Sequence, residues 1–438
     1  MSIAIPQTKL QAYDKASVIA SDCTIKGSIL NPKMSASAPV LEAFDFDDKH
    51  VFLPFAYVHQ HHPTLFVTKK TPNVDFKFTG SLLDRQKQIR DQAFELLNTT
   101  KSCMLCLHTG FGKTIFALYL ASKIGKKTIV LCHRKIIMDQ WKASANKVCP
   151  GATVGILDAK LLKKNANTTF PDILICNVLN IPKYDASIFA DYGLVLCDEI
   201  HTMCTQQYSK GLTKLFPEYI IGLSATPERS DGMDQMITLY VGPHMIVRKM
   251  HRQFNVYKLP TNITIVGKRQ ADGSLDWNSV LQEQADDPVR NKLIVNCCKF
   301  FSNRTILILV KRKDHALTLQ KLCKQQGLDV DVFFGSATVV NYDCQILIAT
   351  YSKGGVGFDH PKLDMLITGA DVEENFMQYL GRIFRRDDTT PIYIDLIDDN
   401  KVIKGHSQTR LKICKEIGAH VRSFGSAFPD FTFLTSLL

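Results

Sequence analysis

The chain has 438 residues and a mass of 49.2 kDa, a length that accommodates two or three domains. Its composition, 45% hydrophobic and 22% charged, supplies enough apolar material for packed cores and excludes a mainly disordered polymer. A formal charge of +11 favours a polyanionic partner, nucleic acid or an anionic surface, without requiring one. No uninterrupted apolar run approaches the roughly 20 residues that a spanning helix needs. The N-terminal MSIAIPQTKLQAYDK lacks the basic start and apolar stretch of a signal peptide. The expectation is therefore a cytoplasmic or nuclear protein with no membrane partner. Thirteen cysteines, several inside apolar runs (Cys106, Cys132, Cys176, Cys197), read as buried free thiols of a reducing compartment. The Cys103/Cys106 pair has no second pair at zinc-site spacing and reads as buried strand. His59, His61 and His62 read as a solvated loop, since no cysteine or acidic partner lies close by in sequence.

In chain order, residues 1–78 read as a small α+β accessory domain with an acidic patch at 44–48 and an apolar strand at 51–58. The first periodic helix begins near Leu82, with Ile89, Ala93, Leu96 and Leu97 at helical spacing. Across 79–245 short apolar runs (104–107, 128–132, 173–176, 194–197, 219–223) alternate with helix-like segments, the pattern of a parallel sheet covered by crossover helices. Residues 246–289, with the Asp286-Asp287-Pro288 break, read as a connecting region. Over 290–400 the alternation resumes (305–310, 330–334, 345–349, 365–368, 392–397). Residues 401–438 read as a basic helix, from 401 to about 422, followed by an apolar tail. The expected fold class is α/β: two parallel-sheet lobes in tandem with a small N-terminal domain.

The run at 104–107 leads into His108-Thr109-Gly110-Phe111-Gly112-Lys113-Thr114 and then an apolar helix. Strand, glycine-rich turn, Lys-Thr and helix is the order a nucleotide-phosphate site requires. Gly110 and Gly112 permit a turn that aims successive N–H groups at phosphate oxygens, and the helix N-terminus adds partial positive charge. Lys113 then reaches the β- and γ-phosphates, and Thr114 ligates magnesium. The general Gly-x-x-x-x-Gly-Lys-[Ser/Thr] pattern has a glycine where this chain has Leu107. The run at 194–197 ends in Asp198-Glu199-Ile200-His201, two carboxylates at the end of a buried parallel strand, where α/β sheets bind ligands. Asp198 is placed to share the magnesium with Thr114, and Glu199 to polarise an attacking water. A third strand ends in Ser224-Ala225-Thr226-Pro227. Each element alone is commonplace; together they describe an ATPase lobe.

The set TGFGKT, DEIH and SATP resembles superfamily 2 helicases of the DExH type. The continuation SATPERSDGMD, followed by Val241-Gly242-Pro243, resembles a narrower group: the eukaryotic transcription and repair helicase XPB, phage branch-migration helicases, and transcript-release helicases of large cytoplasmic DNA viruses. Members of superfamily 2 often lack the first glycine of the loop. The resemblance implies two RecA-like lobes, ATP and Mg2+ as cofactors, and nucleic acid as partner, DNA favoured over RNA. It places Gln86, in Asp84-Arg85-Gln86, like the glutamine that reads adenine. It places Arg134 and Gln140, within Leu131-Cys132-His133-Arg134-Lys135 and Asp139-Gln140-Trp141, in the first nucleic-acid-contacting motif. Asn177 stands where relatives usually carry a strand-contacting threonine. His201, Ser224 and Thr226 are implied as the couplers of the acidic motif to the SATP loop.

In the second half, Thr350 and Tyr351-Ser352-Lys353-Gly354-Gly355-Val356-Gly357-Phe358-Asp359 resemble the motif that couples nucleotide to nucleic acid, with Thr350 on the strand and Gly357 and Asp359 toward the nucleotide. Gln378-Tyr379-Leu380-Gly381-Arg382-Ile383-Phe384-Arg385-Arg386 resembles the QxxGRxxR motif, which makes Arg382 and Arg385 arginine fingers and Gln378 a nearby contact. IYIDLIDD at 392–399, with His406 and Arg410, resembles viral and phage relatives past that motif. Between Gly335 and Asp343 the chain is shorter than most relatives, where a strand-contacting element is trimmed. The resemblance covers roughly 80–420 and implies a 3′-to-5′ helicase. It also implies transcription or replication proteins as partners and a viral factory or virion as location. A translocase that unwinds little, an RNA-directed DExH enzyme and a non-enzymatic scaffold are the alternatives.

Overall fold

A computed structural model describes residues 1–10, 19–28, 38–164, 170–229, 231–337, 339–355, 358 and 360–427. The chain divides into two compact units, Met1–Lys249 and Met250–Leu438.

The first unit opens with β1 (Ser2–Pro6), helix α1 (Ile19–Asp22), β2 (Thr24–Lys26), β3 (Val40–Glu42), β4 (Asp45–Phe46), β5 (His50–Pro54) and helix α2 (Phe55–His61). Strands β1, β5 and β4 form an antiparallel sheet in that order, and β2 pairs with β3. The expected strand at 51–58 is thus half strand and half helix. Pro54 caps the turn into α2 and has no N–H to continue a ladder. The three histidines lie on and just past that helix, where His61 stacks on Tyr57 and His59 sits edge-on to Phe66. Among the described residues no group of three or more His, Cys, Asp or Glu is arranged to hold a metal.

Next come α3 (Asp84–Thr99), β6 (Ser102–Leu107), α4 (Lys113–Ile124), β7 (Thr128–Cys132), α5 (Lys135–Val148), β8 (Val154–Ile156), α6 (Ala159–Lys164), β9 (Ile173–Asn177), β10 (Leu194–Asp198), α7 (Gln206–Leu212), β11 (Tyr219–Ser224), α8 (Gln235–Tyr240) and β12 (Met245–Arg248). The seven strands from β6 to β12 form one parallel sheet in the order β12-β6-β11-β10-β7-β9-β8. Strands β6, β7 and β10 are buried along their whole length, as a parallel sheet covered on both faces requires. The described residues of 1–78 share one apolar core with this sheet: Met1, Ile3, Leu53 and Tyr57 cluster with Cys197, Met203, Leu215 and Tyr240. The N-terminal strands, expected as a separate domain, are packed into the first lobe.

The second unit contains β13 (Phe254–Thr264), β14 (Lys268–Arg269), β15 (Leu275–Asp276), α9 (Trp277–Asp286), α10 (Pro288–Phe300), β16 (Ile306–Val310), α11 (Lys313–Gln325), β17 (Val330–Phe333), β18 (Ile346–Thr350), α12 (Tyr351–Gly354), β19 (Met365–Thr368), α13 (Phe376–Leu380), β20 (Ile392–Asp399), α14 (Lys401–Glu416), β21 (Ala419–Ser423) and α15 (Phe424–Ala427). Its seven-stranded parallel sheet runs β17-β18-β16-β19-β20-β13-β21. Two sequence expectations differ here. Residues 246–289 contribute β12 to the first sheet and β13, between β20 and β21, to the second. The helix expected to about 422 ends at Glu416, and Gly418, at φ 106°, turns the chain into edge strand β21. Asp276 and Asp287 cap α9 and α10, and Pro288 occupies the first position of α10, so the Asp-Asp-Pro break is a helix-to-helix junction. The described residues of 335–343 carry neither helix nor strand.

All 13 cysteines are buried and free. No helix among the described residues is long and apolar enough to cross a membrane. Both sheets are doubly covered α/β layers, and these are the two RecA-like lobes in tandem that the motifs imply.

Candidate active site

Strand order brings the three motifs of the first unit together. Strands β6, β11 and β10 are neighbours, and their register pairs Ser224 with Cys106 and Asp198 with Leu223. The residues that follow each strand therefore emerge at the same edge, the carboxyl ends of a parallel sheet. No sequence spacing specifies this, because the motifs begin at 108, 198 and 224 with whole strands and helices between them.

The loop from His108 to Gly112 turns through two left-handed glycines, Gly110 at φ 85° and Gly112 at φ 89°, which a side chain rarely tolerates. A Cβ on Gly112 would stand 2.6 Å from Gln86 Nε2. Arg85 Nη2 donates to Gly110 O at 2.9 Å, and Gln86 Nε2 donates to Phe111 O at 3.2 Å and Gly112 O at 3.1 Å. Carbonyl and N–H of a trans peptide point in opposite directions, so fixing these carbonyls turns the N–H groups of Gly112 and Lys113 away from α3. Phe111 is buried and lies under the Arg85 guanidinium, 5.7 Å from ring centre to Cζ. The loop is held from behind with its donors facing outward, an anion cradle at the N-terminus of a 12-residue helix.

Lys113 Nζ donates to Leu107 O at 3.1 Å and stands 4.0 Å from Glu199 Oε1. Thr114, the second residue of α4, is half-buried. His108 Nδ1 donates to Thr109 O at 2.8 Å, and burial lowers the pKa of the ring. Asp198 is buried at the end of β10; burial first, and the neighbouring Glu199 carboxylate second, raise its pKa to about 6. Trp141 Nε1 donates to Asp198 Oδ2 at 2.7 Å. Glu199 adopts a left-handed backbone, φ 50° and ψ 52°, uncommon for a non-glycine residue. Its Oε2 is buried without a hydrogen bond. A buried carboxylate oxygen without a hydrogen bond, beside the Asp198 carboxylate and the end of the helix that carries the Thr114 hydroxyl, gives the oxygen donor set that a hydrated magnesium requires. The residues fit that group.

His201 Nδ1 lies 2.8 Å from Ser224 Oγ and 3.5 Å from Glu199 Oε2. Ser224 Oγ in turn accepts from Thr226 N at 3.0 Å. The three expected couplers are thus one connected chain starting at His201, which stands beside Glu199 without a hydrogen bond to its Oε2. Burial lowers the pKa of His201, against the pull of Glu199. His133 extends the contacts, with Nδ1 3.3 Å from Thr202 Oγ1, and Thr202 donates to Glu199 O at 2.8 Å. Burial, with Arg134 adding, pushes the His133 pKa down to about 4. Arg229 Nη1 donates to His201 O at 2.9 Å.

Some expected residues are placed differently. Gln86 is almost wholly buried, and its Oε1 accepts from Leu83 N at 2.8 Å; the structure puts it beneath the loop as a brace rather than turned toward a base. Asn177 caps the turn after β9, accepting from Leu179 N at 3.0 Å. Arg134 and Gln140 are exposed, at the N-cap and on the body of α5. In the second unit Thr350 is buried at the end of β18, with Oγ1 3.1 Å from Ser352 Oγ. Gln378, on α13, and Arg382, just beyond it, are buried, and the Arg382 guanidinium donates to Gly355 O. That bond ties the arginine motif to the glycine loop. Arg385 is half-buried. Gly357 and Asp359 lie outside the described residues.

Sequence reasoning assigned no role to Arg85, His133, Trp141, Thr202 or Arg229. Arg85 adjoins Gln86 and could have been read as a second donor. Trp141 falls in the apolar register of α5 with Ile137, Met138, Ala145 and Val148 and reads as core; nothing in the pattern announces its acceptor.

Residues 79–229 match the family model described as Type III restriction enzyme, res subunit. Protein 161L of Invertebrate iridescent virus 6, which bears a provisional helicase name, is 34% identical over 395 residues, 85% of this chain and 89% of its own length. Protein 055L of Frog virus 3, similarly named, is 30% identical over 349 residues, 78% and 79% of the two chains. L396 of Acanthamoeba polyphaga mimivirus, provisionally named an ATP-dependent RNA helicase, is 27% identical over 371 residues, 77% and 68%. Among solved structures, S. cerevisiae Dbp5 bound to RNA and ADP BeF3 superposes with a TM-score of 0.55 at 14% identity, covering 82% of this chain and 98% of that one; this is a likeness of fold.

Tandem RecA-like lobes, the first carrying a phosphate loop beside an acidic strand end, define the class: a superfamily 2 helicase. The chain belongs to the helicase family of large DNA viruses that includes 161L and 055L. It is an ATP-dependent enzyme acting on nucleic acid.

Proposed function

We propose that this helicase tracks along DNA in the 3′-to-5′ direction, with Mg2+ as cofactor. The observation that carries a motor reading is the hydrogen-bonded chain from His201 through Ser224 to the Thr226 amide, with His201 Nδ1 standing 3.5 Å from the Glu199 carboxylate. It ties the carboxylate that would meet water to the loop after β11, so a change at one is felt at the other. Support for DNA comes from the resemblance of SATPERSDGMD to the XPB and phage group, while the +11 charge supports a nucleic acid of either kind.

In this reading the N–H groups of Gly112 and Lys113 and the Lys113 ammonium hold the β- and γ-phosphates. The Thr114 hydroxyl and the Asp198 carboxylate would hold Mg2+, which when bound neutralises phosphate charge. Glu199 orients the attacking water and takes its proton. Arg382 and Arg385, by their resemblance to the arginine motif, would stabilise charge spread over the transferring γ-phosphoryl. Arg134 and Gln140 meet the strand backbone, and contacts of that kind carry no sequence preference. The viral origin of the relatives supports action in infected cells, and a viral factory in the cytoplasm is the location we propose. Transcript release, repair and recombination all use such an engine.

The RNA-directed reading has specific support in the RNA-helicase names of the relatives from mimivirus and African swine fever virus. Steady-state ATP hydrolysis with single-stranded DNA, duplex DNA or RNA, at low and moderate salt, separates the two. DNA should stimulate strongly, with an effect that fades as salt rises; stimulation by RNA alone overturns the DNA assignment. Strand displacement from 3′-tailed but not 5′-tailed duplexes tests polarity, and an enzyme that hydrolyses yet displaces neither is a non-unwinding translocase.

A further inference from the structure

Trp141 is one of two tryptophans in the chain, and it is the most unusual member of the apolar face of α5. Ile137, Met138, Ala145 and Val148 offer that face only carbon or sulfur. Trp141, 1% exposed, brings a buried N–H, which must find an acceptor. Its acceptor is the buried Asp198 carboxylate, at 2.7 Å, a charge-assisted bond of the strong class. Packing fixes both side-chain torsions of the indole, so the position of its N–H follows the rigid-body position of α5. That helix begins at the exposed Arg134 cap and carries the exposed Gln140 immediately before Trp141. One helix thus presents side chains to solvent on one side and a fixed donor to Asp198 on the other.

We propose that Trp141 is the positioning residue that sets the Asp198 carboxylate for the magnesium ion, and that it relays to this carboxylate the state of the nucleic-acid contacts on its own helix. The inference rests on the reading that Asp198 holds the metal and that Arg134 and Gln140 meet nucleic acid. With Oδ2 committed to the indole, Oδ1 would be the oxygen left for the cation. A donor to a ligating carboxylate fixes its orientation, and loss of such a partner typically costs about 10- to 100-fold in metal affinity. A phenylalanine would fill the same pocket without the donor, so a role in packing alone predicts no effect on metal binding.

The test uses the full chain carrying Trp277→Phe, a change in the second unit that leaves Trp141 as the sole indole. Its 15N–1H indole resonance is followed through ADP in EDTA, then Mg2+ with ADP, then a single-stranded DNA oligonucleotide. In parallel, the Mg2+ dependence of mant-ADP binding is measured for Trp141→Phe and Asp198→Asn, with melting temperatures. The expected result is a resonance that moves with Mg2+ and ADP together and again with the oligonucleotide. Trp141→Phe should weaken apparent Mg2+ affinity about tenfold, while mant-ADP binding in EDTA stays unchanged. An unmoved resonance, with Trp141→Phe titrating like the parent while Asp198→Asn loses the Mg2+ response, overturns the proposal and leaves Trp141 a core residue. Asp198→Asn titrating like the parent overturns the metal reading beneath it instead. A resonance that answers Mg2+ but not the oligonucleotide overturns the relay. If Trp141→Phe does not fold, the resonance of the Trp277→Phe protein still decides.

Discussion

Replacing Arg410 with methionine is expected to unfold the second unit at a much lower temperature while leaving the first unit intact. Arg410, on α14, is 1% exposed and faces two carboxylates that are equally buried. Its Nη2 lies 2.8 Å and its Nε 3.0 Å from Asp395 Oδ1, and its Nη1 lies 2.7 Å from Asp371 Oδ1 and 2.6 Å from Val372 O. Methionine keeps most of the apolar volume but removes every one of these donors. Asp395 would retain Ser407 Oγ at 2.5 Å and Tyr393 Oη at 2.7 Å, and Asp371 would retain His406 Nδ1 at 2.5 Å. Two buried negative charges would then lack their shared cation, and breaking a buried pair from one side costs about 3–5 kcal/mol. For a unit of this size each kcal/mol moves the midpoint by roughly 2–4 °C, so the second unit's transition should fall by about 6–20 °C. Scanning calorimetry, resolving the two units as separate transitions, reads this directly. Adding Asp395→Asn to Arg410→Met removes one stranded charge and should recover part of the loss. A shift below about 3 °C, or a double variant worse by the full sum of the two single changes, would refute the claim that these charges act as one desolvated cluster.

Lys113→Ala should cut ATP hydrolysis at least about a hundredfold, the scale of losing a transition-state charge stabiliser; near parental turnover would mean the phosphate site is wrongly placed. His201→Ala is expected to leave hydrolysis within about threefold yet reduce strand displacement by about tenfold or more, the size of an ordinary coupling free energy. Parallel loss of both activities would assign His201 to catalysis rather than to coupling. His315 gives a pH signature. Its Nε2 donates to Asn291 Oδ1 at 2.8 Å, its Nδ1 is buried without a hydrogen bond, and burial pushes its pKa down to about 3. The unfolded chain takes up the proton near pH 6.5 and the fold refuses it, so this residue makes stability rise with pH and withdraws about 2 kcal/mol between pH 6.5 and 5. Denaturant midpoints of the second unit over that interval should fall less steeply in His315→Leu; identical slopes count against the assignment.

The sheet strands were legible because fully buried parallel strands are apolar along their whole length. The runs at 128–132 and 365–368 coincide with β7 and β19, and the other predicted runs lie within a residue or two of theirs. Strands at the margins were harder to read. β13 carries Asn255, Lys258 and Asn262, and β21 is Ala-His-Val-Arg-Ser at a sheet edge, so partial exposure erased the apolar signature. Helix α2 was hidden inside an apolar run because burial on all sides looks alike in helix and strand over a few residues.

What the sequence determined by itself is local. Glycines at 110 and 112 permit a left-handed turn, Lys113-Thr114 opens a helix, and two carboxylates close a buried strand, each decided by residues within one turn of chain. Tertiary structure alone decided which of these meet. Strand order set β11 between β6 and β10, which put His201 Nδ1 2.8 Å from Ser224 Oγ and 3.5 Å from Glu199 Oε2. The fold also turned a core tryptophan into the donor to Asp198 and a glutamine expected at a base into the brace of the phosphate loop. A buried polar atom must find its partner wherever the packing supplies one, and that partner can lie dozens of residues away with no periodicity to announce it.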